Sequence, residues 1–133
     1  MKKKLIAVLL AVAIVCTMIV GTASAAPVNG YKTLNGIACR GTLTWSGKYA
    51  SASSSFGVSG DGNYADTLTT TATTYYMVNG VEMSTSNRNP AVNSKGNSIT
   101  APYSVTATTT RAASSHVFVD NGVTQSIYLS NLY

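Results

Sequence analysis

Few side chains in this chain could do chemistry, and each has a short list of jobs open to it. There is one histidine, His116, two cysteines, Cys16 and Cys39, and four acids, Asp61, Asp66, Glu82 and Asp120. A cysteine beside a histidine can act as nucleophile and base, and Cys39 with His116 is the pair that would have to do so. Neither stands in a local nucleophile motif. Cys39 alternates in phase with Ile37, Leu43 and Trp45. That places it on an apolar face, where burial raises a thiol's pKa and makes it inert. Glycoside hydrolysis would need two of the acids to face one another. Glu82 and Asp120 instead stand beside turn sequences, and Asp61 sits in the glycine-rich stretch 57–63, where a carboxylate shapes the loop. That stretch lacks the alternating oxygen ligands of a calcium loop. It also lacks the lysine and the strand–helix setting of a phosphate loop. The residues therefore nominate no catalytic group, no metal set and no cofactor.

The elements that would position these side chains begin after a leader. Lys2, Lys3 and Lys4 precede an apolar run from Leu5 to Val20, and Ala23-Ser24-Ala25 supplies small residues for cleavage. This is the layout of a secretory signal peptide over residues 1–25. The run falls short of the ~20 apolar residues that span a bilayer, so no membrane span is expected after cleavage. Cys16 lies inside it behind Ile14 and Val15, not behind the small residue that a lipid-attachment site wants. Residues 26–133 then form one domain, with six cations against four acids and a formal charge of +2. The cations are scattered and form no patch, which argues against nucleic acid as a partner and against polybasic membrane binding. Cys39 is the one cysteine left, so stability must come from packing and sheet hydrogen bonds rather than an internal disulfide.

The strongest local signal is the stretch 64–86, in which Asn79-Gly80 separates two β-prone runs. An Asn-Gly pair suits a type I′ hairpin because both central residues take positive φ. A two-residue loop pairs Val78 with Val81, Tyr76 with Met83 and Thr74 with Thr85. The other face then pairs Met77 with Glu82, Tyr75 with Ser84 and Thr73 with Ser86. A slip of one residue would destroy that sorting.

The rest of the domain reads as short strands. Asn29-Gly30 and Asn35-Gly36 predict a short hairpin or consecutive tight turns at the entrance, followed by a strand over 37–45 in which Gly41 marks a bulge or close packing. Lys48 to Phe56 reads as a weak edge strand, 87–98 as a polar loop, 99–110 as a strand and 111–115 as a connection. A closing hairpin flanks Asn121-Gly122. Pairing Phe118 with Gln125 and His116 with Ile127 is a poor apolar match, which suggests a longer, bulged loop. No helical period occurs after the leader. About seven strands point to a small antiparallel β-sandwich, with a small β-barrel as the alternative.

One contact surface is proposed by the pattern. Thr67, Thr69, Thr71, Thr73, Tyr75 and Met77 follow one another at i, i+2 and so line the outward side of one strand. Tyr and Met are residue types that interfaces favour. The expected function is that of a secreted bacterial, non-enzymatic β-domain acting by extracellular binding or self-assembly, with a protein, a glycan or another copy of itself as partner. The alternative, on size, leader and sandwich plan, is a small antibacterial protein of the bacteriocin kind. A small secreted hydrolase using Cys39 or the acids comes third.

Overall fold

The computed structural model describes residues 26–132; the proposed leader, 1–25, lies outside them. Eight strands follow one another: β1 (Val28–Leu34), β2 (Ile37–Ser46), β3 (Tyr49–Phe56), β4 (Ala65–Val78), β5 (Val81–Ser94), β6 (Gly96–Pro102), β7 (Thr108–Asp120) and β8 (Val123–Leu132). They form two antiparallel four-stranded sheets, ordered β1-β2-β3-β6 and β5-β4-β7-β8. The fold is a β-sandwich, with eight strands where about seven were expected.

Three Asn-Gly pairs make two-residue hairpins, and Gly47-Lys48 makes a fourth between β2 and β3. Asn35-Gly36, Asn79-Gly80 and Asn121-Gly122 all have positive φ at both residues, the backbone of a type I′ turn. The long β4–β5 hairpin has the register read from its sequence, from Val78 opposite Val81 through Thr73 opposite Ser86. Asn29-Gly30 is not a turn. It lies within β1, where Gly30 sits under Ile127 and Leu129; a Cβ there would stand 2.5 Å from Ile127 Cγ2. The closing hairpin keeps its two-residue loop, with Phe118 opposite Gln125 and His116 opposite Ile127, and carries no added bulge.

Other boundaries differ for reasons of packing. Residues 87–98 are strand, not loop, split between β5 and β6. Pro90 is tolerated because β5 is an edge of its sheet, where a missing N–H interrupts one ladder only. Residues 111–115 belong to β7, and 103–107 form the connection. β3 is central rather than an edge, lying between β2 and β6; its small side chains let the second sheet approach. Tyr64, at the start of the stretch 64–86, precedes β4 and is exposed.

Apolar alternation fills the space between the sheets with two clusters. Leu34, Cys39, Phe56, Ala65, Leu68, Phe118 and Ile127 form one. The other, built on alanines, holds Leu43, Trp45, Ala50, Ala52, Ala72, Ala101 and Ala112.

The lateral seams are closed by side chains. Between β5 and β6, Asn87 Nδ2 donates to Thr100 O at 2.8 Å and Asn89 Nδ2 to Ser98 O at 2.9 Å, while Asn97 Nδ2 donates back to Asn89 O at 2.7 Å. At the other seam Gln125 Nε2 reaches Thr33 O at 3.4 Å, and Asn35 Nδ2 donates to the Asp120 carboxylate at 2.9 Å. These bonds occupy backbone acceptors that a free sheet edge would otherwise offer to another strand.

Candidate functional site

His116 lies inside the sandwich and is fully buried. Alternation along β7 turns it inward with Ser114 and Phe118, and β4 brings Thr70 to the strand beside it, directly opposite in register. Ser54 Oγ of β3 stands 2.8 Å from His116 Nδ1, and Ser114 Oγ stands 2.8 Å from Nε2. A neutral imidazole has one donor and one acceptor nitrogen, so one hydroxyl donates to the ring and the other accepts from it. Ser54 Oγ also meets Thr70 Oγ1 at 2.5 Å, and Thr70 donates in turn to Asn97 Oδ1. The ring rests on the backbone of Gly41, where a Cβ would come within 2.5 Å of His116 Cδ2. Gly41 therefore marks close packing.

This hydroxyl–imidazole layer divides the two apolar clusters. Desolvation lowers the His116 pKa to about 4, so the ring is neutral at ordinary pH. A hydroxyl at such a distance from an imidazole nitrogen is also the spacing of a nucleophile and its base. Here both groups are sealed between the sheets, and the imidazole serves the packing. Sequence reasoning missed the layer, although Thr70, Ser114 and His116 fall at inward positions of their own alternation. A second polar bridge crosses the alanine cluster: Thr74 Oγ1 accepts from Ala50 N at 2.8 Å and donates to Ala101 O at 2.5 Å.

Cys39 is fully buried in the other cluster, and burial pushes its thiol up to about 11. Its Sγ points to the carbonyl of Ile37 at 3.9 Å, and both His116 nitrogens are occupied by serines. The structure does not assemble the Cys39–His116 pair.

The acids are likewise tied into local structure. Asp61 accepts from Val58 N at 2.7 Å and from Asn63 N at 2.9 Å, and it pairs with Lys95. The lysine and the two N–H groups hold its carboxyl well below the usual range. Asp66 accepts from Asn121 N at 2.7 Å. Asp120 accepts from Asn35, as above. Glu82 pairs with Arg111 at 2.8 Å and accepts from Thr110 Oγ1 at 3.0 Å, which lowers its pKa. Among the described residues no cluster of His, Cys, Asp or Glu could hold a metal ion.

The outward row of β4 stands as the period-two reading places it. Thr67 and Met77 are exposed at its ends, and Thr69, Thr71, Thr73 and Tyr75 are half-buried between neighbouring strands. β4 is central in its sheet, so the row runs along the middle of an outer face. Hydroxyls and small apolar groups flank it. Thr69 lies between Pro90 and Val117, Thr71 between Arg88 and Ser115, and Thr73 between Ser86 and Ala113. Thr73 Oγ1 and Ser86 Oγ are joined at 2.8 Å. Ser126, Tyr128 and Ser130 continue these rows on β8, with Tyr128 well exposed. Tyr75 is not an open platform: the Arg111 guanidinium lies 3.7 Å from its ring centre while it binds Glu82. The β4–β7 register shifts between Tyr75 and Tyr76, and such a bulge re-aims the side chains around it.

The face is thus nearly neutral, rich in hydroxyls and ribbed by a threonine row. Compared with known proteins, the chain matches no family model, no curated protein and no solved structure.

Proposed function

We propose that this chain is a secreted bacterial β-domain that works without catalysis, by binding outside the membrane through the outer face of the β5-β4-β7-β8 sheet. The observation that carries the reading is the continuous grid of hydroxyls on that face. Thr67, Thr69, Thr71 and Thr73 on β4 are flanked by Ser84 and Ser86 on β5, Ser115 on β7 and Ser126 and Ser130 on β8. The charges among them are Arg88 and the self-neutralised Glu82–Arg111 pair. Such a surface suits a neutral, hydroxyl-bearing partner such as a glycan. The sealed seams speak against assembly by strand addition, so a second copy would have to meet the face instead.

The test is the double substitution Thr69→Lys, Thr71→Lys. If the face meets only water, these outward changes shift stability by about 0.5 kcal/mol, whereas two ammonium groups desolvated in a contact would abolish it. Glycan and cell-surface pull-down, with sedimentation for self-association, should show binding by the wild type and none by the variant. Circular dichroism should be identical for the two. Equal binding by both proteins would refute the assignment of this face.

A further inference from the structure

The two ends of the sandwich differ in chemistry. One end carries the turns at 35–36 and 121–122 and the loop 57–64. It holds Asp61, Asp66 and Asp120, each in the hydrogen bonds described above, together with Lys32 and Lys95. The opposite end carries the 47–48 and 79–80 turns and the 103–107 connection. Among the described residues its one carboxylate, Glu82, is neutralised by Arg111. Lys48 is exposed there, with no ion pair or hydrogen bond among the described residues.

This second end also projects apolar side chains into solvent. Val81 is 63% exposed, Val105 49%, Met83 48% and Met77 37%. The hairpin tip and the connection are one structure, because Tyr76 of β4 stacks on Tyr103 with ring centres 4.3 Å apart. The connection is anchored as well: Tyr103 Oη meets Thr109 Oγ1 at 2.9 Å, and Thr109 Oγ1 meets Gly47 O at 3.0 Å. Between Lys48 and the connection lies a depression of about 330 Å³ lined by Lys48, Tyr103, Ser104, Val105, Thr106 and Ala107. Its lining sets Lys48 beside the hydroxyl residues Ser104 and Thr106, with Val105 between them.

We propose that this end docks on an anionic phospholipid surface, with Lys48, Ser104 and Thr106 taking a headgroup phosphate and Val81, Met83 and Val105 dipping among the acyl chains. The chemistry favours a lipid over a soluble anion, because free phosphate would leave the exposed Val81, Met83 and Val105 of this end in water. It also disfavours a second copy meeting end to end, which would bring two unpaired lysines together. Apolar side chains and cations combine in this way where proteins lie on anionic bilayers. The site is separate from the hydroxyl face, so either assignment can fail without the other.

The experiment is co-sedimentation of residues 26–133, which contain both sheets entire, with vesicles of phosphatidylglycerol and phosphatidylcholine or of phosphatidylcholine alone. Binding is expected to the anionic vesicles and to weaken with salt. Lys48→Gln should lose about fivefold in affinity, the worth of one lysine near such a surface. Val81→Ser with Met83→Ser should lose about tenfold or more. Val92→Ser, an exposed apolar position near the acidic end, should change nothing. Equal binding to neutral vesicles, no binding to either kind, or loss with Val92→Ser to the same degree would overturn the proposal. So would binding of inorganic phosphate alone without vesicles, or self-association in their absence that the tip variants abolish.

Discussion

Acidification should unlock the sandwich through His116. The ring is fully buried and touched by Ser54, Ser114 and Gly41, with no carboxylate bonded to it. Its folded pKa is about 4, against 6.5 for the free side chain. The unfolded chain therefore binds a proton at a pH where the folded chain does not, and stability rises with pH through that window. Conversely, stability is intact above about pH 6.5 and is lost as pH falls toward 4. At 1.36 kcal/mol per unit, lowering pH from 7 to 4.5 removes about 2.5 kcal/mol, a large share of a small domain's stability. The depressed carboxylates Asp61 and Glu82 act in the other window. Their stabilisation is full above their unfolded pKa and is lost as pH falls below it, so pH 4.5 largely spares them. The assay is urea unfolding at pH 7, 5.5 and 4.5, where the midpoint should fall by roughly 1–2.5 M at ordinary urea slopes. His116→Gln should start from a lower midpoint and lose most of this dependence on pH. A flat wild-type midpoint, or a variant with the wild-type slope, would refute the argument.

Three further expectations use the same unfolding assay or a simple label. Gly41→Ala should cost roughly 1–3 kcal/mol, because its Cβ would press on a ring pinned at both nitrogens; an unchanged midpoint would mean that the ring is not seated there. Gly80→Val should cost about 1 kcal/mol or more, since φ at Gly80 is +80° although the site is sterically open. Gly47→Ala, open and without positive φ, should be close to neutral and is the control. Cys39 should resist a thiol reagent in the native protein at pH 8, react once urea is added, and leave the protein monomeric without reductant. Rapid native labelling would count against its burial.

The fold class was legible because the hairpins announce themselves. Asn79-Gly80 set a register in which each pair from Val78–Val81 to Thr73–Ser86 forms as read, and period two turned the threonine row outward. The errors fall where local signals are weak or ambiguous. Residues 87–94 are polar and contain Pro90, yet they form a strand because β4 supplies a long apolar-backed partner and an edge position tolerates the proline. Asn29-Gly30 has turn chemistry, but its glycine is there to let Ile127 and Leu129 pass close. The end-on depression and the seam asparagines depend on contacts between distant segments, which no local pattern reports. His116 is the one imidazole and pairs on paper with Cys39, whereas its partners are the hydroxyls of Ser54 from β3 and of Ser114 on its own strand.

The hydroxyl–imidazole layer has a geometric consequence for how the two sheets are aligned. Where facing surfaces are mostly alanine, one plate could slide over the other by a residue pair with little change in apolar contact, since small side chains leave shallow relief. The inward groups of β3, β4 and β7 act as dowels against that motion. Displacing either plate by one inward position would set Ser54 opposite a methyl group and press the imidazole against a side chain instead of the bare backbone at Gly41. The hydrogen bonds that cross between the sheets, Ser54 to His116, Ser54 to Thr70 and Thr70 to Asn97, would then be lost in a place where water cannot replace them. Thr74, seated between Ala50 and Ala101, is a second dowel farther along the same strand. Two fixed points along one strand remove rotation as well as translation, so even the alanine-rich cluster is held in a single alignment.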